Sequence, residues 1–198
     1  YKMFFWRKIL DRNLEIKKIK KANLITTPSK GFKEKLQSIH NSEIKIIPNG
    51  YLPFKKVAYN SKNKYLNLVY TGRLYENKQN VDPLLNSIKK FNCLYPESSG
   101  NITLNFYGPF SSYLESKIKK LKIEKFVKQN KSVSRSEVFK IHQEATALIL
   151  FNWNENEKGI LPLKFYEYLA SKKLILTIGK DKSGEIKYIL KKTRTGYN

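Results

Sequence analysis

The sequence is short of the residues that hold metals and disulfides. It has one cysteine, Cys93, and two histidines, His40 and His142. A single thiol permits no internal disulfide and fits a reducing compartment. Two imidazoles and one thiol are too few for a zinc site of the usual composition, so no metal is expected. Long apolar runs are missing too, since none approaches the roughly 18 residues that a membrane span needs. The opening residues, YKMFFWRKIL, are apolar for only a few positions and carry no signal-peptide cleavage pattern. Acidic residues are scarce: 16 stand against 39 lysines and arginines, a formal net charge of +23.

Such an excess favours anionic partners: nucleic acid, an acidic membrane leaflet, or phosphorylated ligands. The lysines are spread along the whole chain, however, and a solvated surface accounts for many of them. A hydrophobic content of 40% excludes disorder. The 198 residues suffice for one good core, or for one domain and part of another. The chain reads as a piece of a longer protein, trimmed at one or both ends.

From Leu66 onward, short apolar runs alternate with amphipathic segments. The runs are LNLVY (66–70), ITLNFYG (102–108), KFVKQ (125–129), ATALILF (145–151) and LILTI (174–178). Between them lie segments with apolar residues three and four apart, as in Leu84, Leu85, Ile88 and Phe91. Strands alternating with helices imply right-handed crossovers and a parallel sheet covered on both faces, with strands apolar on both sides. The expectation is a doubly wound, Rossmann-like α/β domain over residues 56–198, incomplete at its end, with its ligand at the carboxyl ends of the strands. Residues 1–55 read differently: a lysine-rich helix over 4–20, a strand at 23–26, a helix capped by Ser29, and a strand at 44–47. The polar stretch 55–65 is a candidate linker.

Four stretches fall at strand ends. In TGRLYENKQN (71–80), Gly72 allows a sharp turn, and Arg73 and Lys78 project beside a helix N-terminus, a seat for a diphosphate. In FYGPF (106–110), Gly108 permits either close ligand approach or a plain turn. In SVSRSEV (132–138), Ser134 and Glu137 fit a capping box. In GILPLKFYEYLA (159–170), Pro162 suits a first helical turn, and Lys164 and Glu167 share a face, with Leu163, Tyr166 and Ala170 along another. Exposed N–H groups near Ile160 and Leu161 add anion-binding capacity. The pair reads equally as a surface ion pair or as a site in which a lysine meets phosphate and a carboxylate meets two ribose hydroxyls. The position after the fourth strand favours the site.

These stretches, in this order, resemble the nucleotide-sugar glycosyltransferases of the GT-B fold, specifically the large retaining family that builds bacterial capsule and lipopolysaccharide. ANLITTPSKGFKEKL (22–36) and KIIPNG (45–50) look like the end of that family's first domain, with Tyr51 and Leu52 where Val-Asp is usual. LVYTGRLYENKQN (68–80), VSRSEV (133–138) and KGILPLKFYEYLASKKLIL (158–176) look like its diphosphate, base and sugar segments. The resemblance implies Arg73, Lys78 and Glu167 as the residues of catalysis, with Glu167 on the ribose hydroxyls. Donor contacts from Gly72, Gly108, Val133, Ser134, Ile160, Leu161 and Lys164 complete the implied site. The family often carries a second glutamate eight residues before the ribose-binding one; here that position is Gly159. Glu155 or Glu157 substitutes from the preceding loop, or the lysine serves instead.

The implied activity is hexosyl transfer with retention, from a nucleoside diphosphate sugar to a glycan or lipid-linked acceptor. It would take place in the cytoplasm or at the inner face of the membrane, where anionic lipid is a partner. No metal or other cofactor is expected, and no turnover by this piece alone. Two other classes fit the composition: a basic nucleic-acid-binding protein, which would need exposed aromatics between clustered cations, and a nucleotide-sugar epimerase of the same fold.

Overall fold

A computed structural model describes residues 4–51, 65–98, 101–153 and 159–197. The chain divides into two compact units, Tyr1–Asn49 with Glu157–Leu161, and Gly50–Asn156 with Pro162–Asn198. The linker and the boundary expected near residue 55 lie outside the described residues, as do Glu155 and Glu157.

The first unit holds helix α1 (Phe5–Ile19), strand β1 (Leu24–Thr27), helix α2 (Lys30–Gln37) and strand β2 (Glu43–Ile46), with β1 and β2 paired in parallel. Ser29 caps α2, its hydroxyl accepting from the Phe32 N–H at 3.2 Å. Gly159 belongs to this unit and presses its backbone on that cap. A Cβ there would stand 2.6 Å from both Phe32 N and Ser29 Oγ, at a φ of +84°. The glycine at a position where a glutamate is common therefore has a steric cause in this chain.

The second unit is one six-stranded parallel sheet with helices on both faces. Its elements are β3 (Leu66–Thr71), α3 (Asp82–Leu94), β4 (Ile102–Tyr107), α4 (Ser112–Leu121), β5 (Val127–Asn130), α5 (Arg135–Glu144), β6 (Ala147–Phe151), α6 (Leu163–Ser171), β7 (Leu174–Ile178), α7 (Glu185–Thr193) and β8 (Gly196–Tyr197). The strand order is β5-β4-β3-β6-β7-β8, so the winding reverses between β3 and β6. That reversal opens a crevice at the carboxyl ends of these two strands, where ligands of doubly wound sheets bind.

Burial follows the layers. All five residues of β6 are buried, as a central strand covered on both faces requires. β4 departs from that expectation. Ile102, Leu104 and Phe106 pack under α3 and α4 with Leu85, Ile88, Leu114 and Ile118, while Thr103, Asn105 and Tyr107 are only half-buried. On that second face a ladder of amides replaces apolar packing: Asn105 donates to Asn67 Oδ1 at 2.9 Å, and Asn130 donates to Asn105 Oδ1 at 3.4 Å. The two-residue strand β8 had no signal in the sequence, being too short for a period to show.

Two glycines bring the ends of β3 and β4 together. Gly72 donates its N–H to Tyr107 O at 2.7 Å. A Cβ on Gly108 would clash with Gly72 O, a backbone atom that has no rotamer to swing away. Gly108→Ala should therefore destabilise the protein by about 1–3 kcal/mol, the usual range for overpacking. Gly50, with nothing within 4 Å of its would-be Cβ and a backbone outside the left-handed region, supplies a control without clash or strain. The check is the denaturant midpoint of each variant, and a Gly108→Ala midpoint equal to that of the parent would refute the steric account.

Candidate functional site

The floor of the crevice is built on the last turn of β3. Tyr70 is buried against Phe106 and Phe151, with ring centroids 5.5 and 5.3 Å away. Its hydroxyl donates to the Arg73 carbonyl at 2.8 Å and accepts from Lys164 Nζ at 2.9 Å. Burial holds the Tyr70 phenol well above its ordinary range, so it remains a neutral hydroxyl. The loop that follows is fastened by Gln79, whose amide oxygen accepts from the Tyr75 N–H at 3.0 Å and whose amide nitrogen donates to Phe151 O at 3.4 Å.

Lys164 comes to this floor from α6. Pro162 is the residue before the first helical one, with φ −67° and ψ 145°, and the helix runs from Leu163. The buried face of α6 is Phe165, Tyr168 and Ser171, whereas Leu163 is 62% exposed. This corrects the apolar face expected along Leu163, Tyr166 and Ala170: the helix turns its β-sheet side toward Phe165 and Tyr168. Lys164 thereby lies with its ammonium 4.0 Å from the centre of the Tyr70 ring. A Cβ at Gly72 would stand 2.9 Å from that ammonium, so glycine with its φ of +107° makes the room for it. Burial lowers the lysine from its ordinary 10.5 to about 8, partly offset by Glu167.

Glu167, one turn on, does not pair with Lys164. Its Oε1 accepts from Arg135 Nη2 of α5 at 3.1 Å. Arg135 stands at the first position of a helix whose entry is fixed by the expected capping box. Ser134 Oγ accepts from the Glu137 N–H at 3.4 Å, and Glu137 Oε2 accepts from the Ser134 N–H at 2.8 Å. The Ser134 N–H is thus engaged locally. Val133, just before it, is half-buried.

Beneath Lys164 lies a buried polar triad absent from the sequence expectations. The Thr71 N–H donates to the Tyr168 hydroxyl at 3.1 Å, and Thr71 Oγ1 lies 3.0 Å from His142 Nε2. Burial, and then the charge of Lys164, press His142 down to about 4, while burial pushes Tyr168 up to about 12. Both are neutral and fix α5 and α6 to β3. On the other flank, Lys78 Nζ sits 4.4 Å from the Trp153 ring centre, and the Trp153 ring packs tilted against Tyr75, with centroids 5.5 Å apart.

The expected residues thus divide. The structure brings Gly72, the Arg73 backbone and Lys164 within a few ångströms, with Glu167 on the same helix and Lys78 on the Gln79-fastened loop. Gly108 lines a shallow recess with Gly72, Ser111 and Asn130. Ile160 and Leu161 belong to the first unit, where Leu161 is buried. Sequence reasoning missed Arg135, Tyr70 and Trp153. Arg135 stood inside a quoted stretch, but no spacing rule joins residues 32 apart. Phe106, Phe151 and Phe165 are buried, so they offer no stacking surface for nucleic acid.

No family model and no curated protein matches the sequence. Solved structures do. A trehalose-6-phosphate synthase is similar with a TM-score of 0.64 and 13% identity, over 87% of this chain and 49% of that one. The pneumococcal O-GlcNAc transferase GtfA, solved with UDP and GlcNAc, is similar at 0.63 and 15%, over 87% and 33%. The lipopolysaccharide outer core galactosyltransferase WaaB is similar at 0.58 and 18%, over 79% and 43%. The chain spans a third to a half of the length of these proteins. At such identities the likeness is one of fold: this chain has the fold of the C-terminal half of a GT-B glycosyltransferase. No described helix is long and apolar enough to cross a membrane.

The geometry of Lys164 yields a test. Because its pKa is lower folded than unfolded, the unfolded chain binds more protons between about 8 and 10.5, and stability rises with pH across that window. Below it the full penalty of a desolvated charge is present. Lys164→Met removes the charge while Tyr70 keeps Arg73 O as its acceptor. The variant should melt higher than the parent at about pH 7, with the gain shrinking toward about pH 10. Each kcal/mol recovered corresponds to about 2–4 °C in a chain of this size. A lower Tm at neutral pH would contradict the assignment of Lys164 as a costly cation.

Proposed function

We propose that this chain supplies the donor side of a retaining glycosyltransferase. The full enzyme moves a hexosyl group from a nucleoside diphosphate sugar to a hydroxyl of a glycan or lipid-linked acceptor in bacterial surface polysaccharide synthesis. The observation that carries the proposal is the meeting of a half-buried ammonium, a side-chain-free backbone turn and a carboxylate at the point where the sheet reverses its winding. The ammonium of Lys164 and the basic loop of Arg73 and Lys78 take the diphosphate. Glu167 accepts the ribose hydroxyls, and the segment at Val133 faces the base.

The chemistry asked of this half is electrostatic. As the glycosidic bond breaks, negative charge grows on the departing diphosphate, and fixed cations in a partly desolvated site stabilise it more than water would. The diphosphate in turn favours the charged form of Lys164, so affinity falls as pH rises through about 8, where the free lysine loses its proton. Three cations supply this charge without a metal. The acceptor is bound by the remainder of the protein, in the cytoplasm at the inner membrane face, where the excess of lysine favours anionic lipid.

Uridine and guanosine diphosphate, titrated by calorimetry in EDTA and at moderate salt, test this. One of them should bind saturably, and Glu167→Ala should weaken it about tenfold or more, the scale of losing charge-assisted hydrogen bonds. A short DNA duplex should bind only in a salt-sensitive manner. Equal affinity of parent and Glu167→Ala for both nucleotides, or saturable binding to DNA alone, would overturn the proposal. Sugar transfer by this chain without the rest of the protein would overturn its division of labour.

A further inference from the structure

Arg135 lies outside the residues that the donor site was expected to use, yet it holds the one carboxylate that site depends on. Its guanidinium engages a single oxygen of Glu167, Oε1 at 3.1 Å. The two residues come from different helices, α5 and α6, and both helices are immobilised independently of them. At one end, Gln143 Nε2 donates to Ser171 O at 3.1 Å. One residue before Gln143 and three before Ser171, His142 and Tyr168 both meet Thr71 of β3. At the other end the Ser134–Glu137 capping box sets the angle at which Arg135 leaves the helix. The bridge therefore spans two fixed supports, and its geometry is inherited from them.

We infer that Arg135 is a positioning residue: it steers the Glu167 carboxylate so that its second oxygen, Oε2, is presented to the ribose hydroxyls. This rests on the donor site proposed above. A role in stability does not explain the pair. The Arg135 side chain is 55% exposed and that of Glu167 23%, and pairs so wetted contribute little to folding. What the bridge does supply is orientation. A glutamate alone on a helix surface samples several rotamers, and each hydroxyl hydrogen bond to it would have to offset that freedom. A guanidinium fixes its direction because its donors lie in a rigid plane. Arg135 also joins the segment that precedes it, Val133 and Ser134, to the carboxylate, so base and ribose contacts are held by one turn of α5.

Two competing roles have different signatures. Were Arg135 a phosphate ligand, its loss would weaken every nucleoside diphosphate alike. Were it a latch that ribose must displace, its loss would tighten binding. The experiment measures the affinity of uridine or guanosine diphosphate, whichever binds, and of its 2′,3′-dideoxy analogue, for the parent, Arg135→Ala, Arg135→Lys, Glu167→Gln and the double variant. Arg135→Ala should weaken the ribonucleotide about two- to fivefold, the scale of an exposed charged pair. It should leave the dideoxy analogue unchanged and leave Tm within a degree or two of the parent. Arg135→Lys should restore part of the loss, and in the Glu167→Gln background Arg135→Ala should add nothing.

Equal losses with both ligands, tighter binding, an unchanged ribonucleotide affinity, or additive losses in the double variant would each overturn the inference. Failure of the donor site itself reads differently. If Glu167→Gln does not discriminate the ribonucleotide from its dideoxy analogue, the carboxylate is not the ribose ligand and both proposals fall. If it does discriminate and Arg135→Ala does not, only the positioning role is lost.

Discussion

One contact organises the carboxyl rim of this sheet: the ammonium of Lys164 against the ring and hydroxyl of Tyr70, beside a glycine that leaves it space. Remove the glycine and a Cβ stands 2.9 Å from the ammonium. Remove the tyrosine and the lysine loses both its hydrogen-bond acceptor and its ring face, while the Arg73 carbonyl loses its donor. The same hydroxyl therefore sets the start of the basic loop and the position of the cation facing it. A strand end, a turn and a helix from distant parts of the chain share a single oxygen atom.

That contact is held in place from below. Thr71, the residue after Tyr70, receives both His142 of α5 and Tyr168 of α6, each buried and uncharged. A neutral imidazole is what a site next to an ammonium requires, since a second buried cation would repel the first. Between about 4 and its ordinary 6.5, His142 binds fewer protons folded than unfolded. The stability that its neutrality represents is thus lost as pH falls through that window. The helices are tied to the sheet by groups that do not titrate at neutral pH, so the lysine above them is free to do so without loosening its own support.

How much of this was legible in the sequence depends on the range of the interaction. Local chemistry was legible. The apolar run of β6, the caps at Ser29 and Ser134, and Gly72 at a strand end all declare themselves within a few residues, and the alternation of elements implies the winding and its reversal. Interactions across the fold were not. Tyr70 and Lys164 are 94 residues apart, Thr71 and His142 71 apart, and Arg135 and Glu167 32 apart. No periodicity couples them. Lys164 and Glu167, at helical spacing, suggested partnership with each other; the fold gave each a different partner. The exposure of Leu163 misled for a related reason. Which stripe of a short helix is buried is decided by the sheet beneath it, and here the sheet covers Phe165 and Tyr168, the latter bonded to Thr71 of β3.

Gly159 shows the converse, where tertiary structure explains an identity that composition could not. Packed on the cap of α2, with its φ in the left-handed region, it excludes any side chain, including an acidic one aimed at a sugar. On the donor-site reading proposed above, the acidic function in this half is then assigned to Glu167 and anion binding to the cations. Among the described lysines, desolvation lowers Lys164 and Lys173, and Lys164 is the more deeply buried of the two. A surface lysine costs nothing to keep charged and contributes little to a ligand, because water screens both. A half-buried one stands partly stripped of its hydration before any ligand arrives, so under the proposed function a diphosphate would restore charge stabilisation that folding gave up. On the proposed reading, the same desolvation that makes this cation costly in the free protein strengthens its attraction to a facing anion.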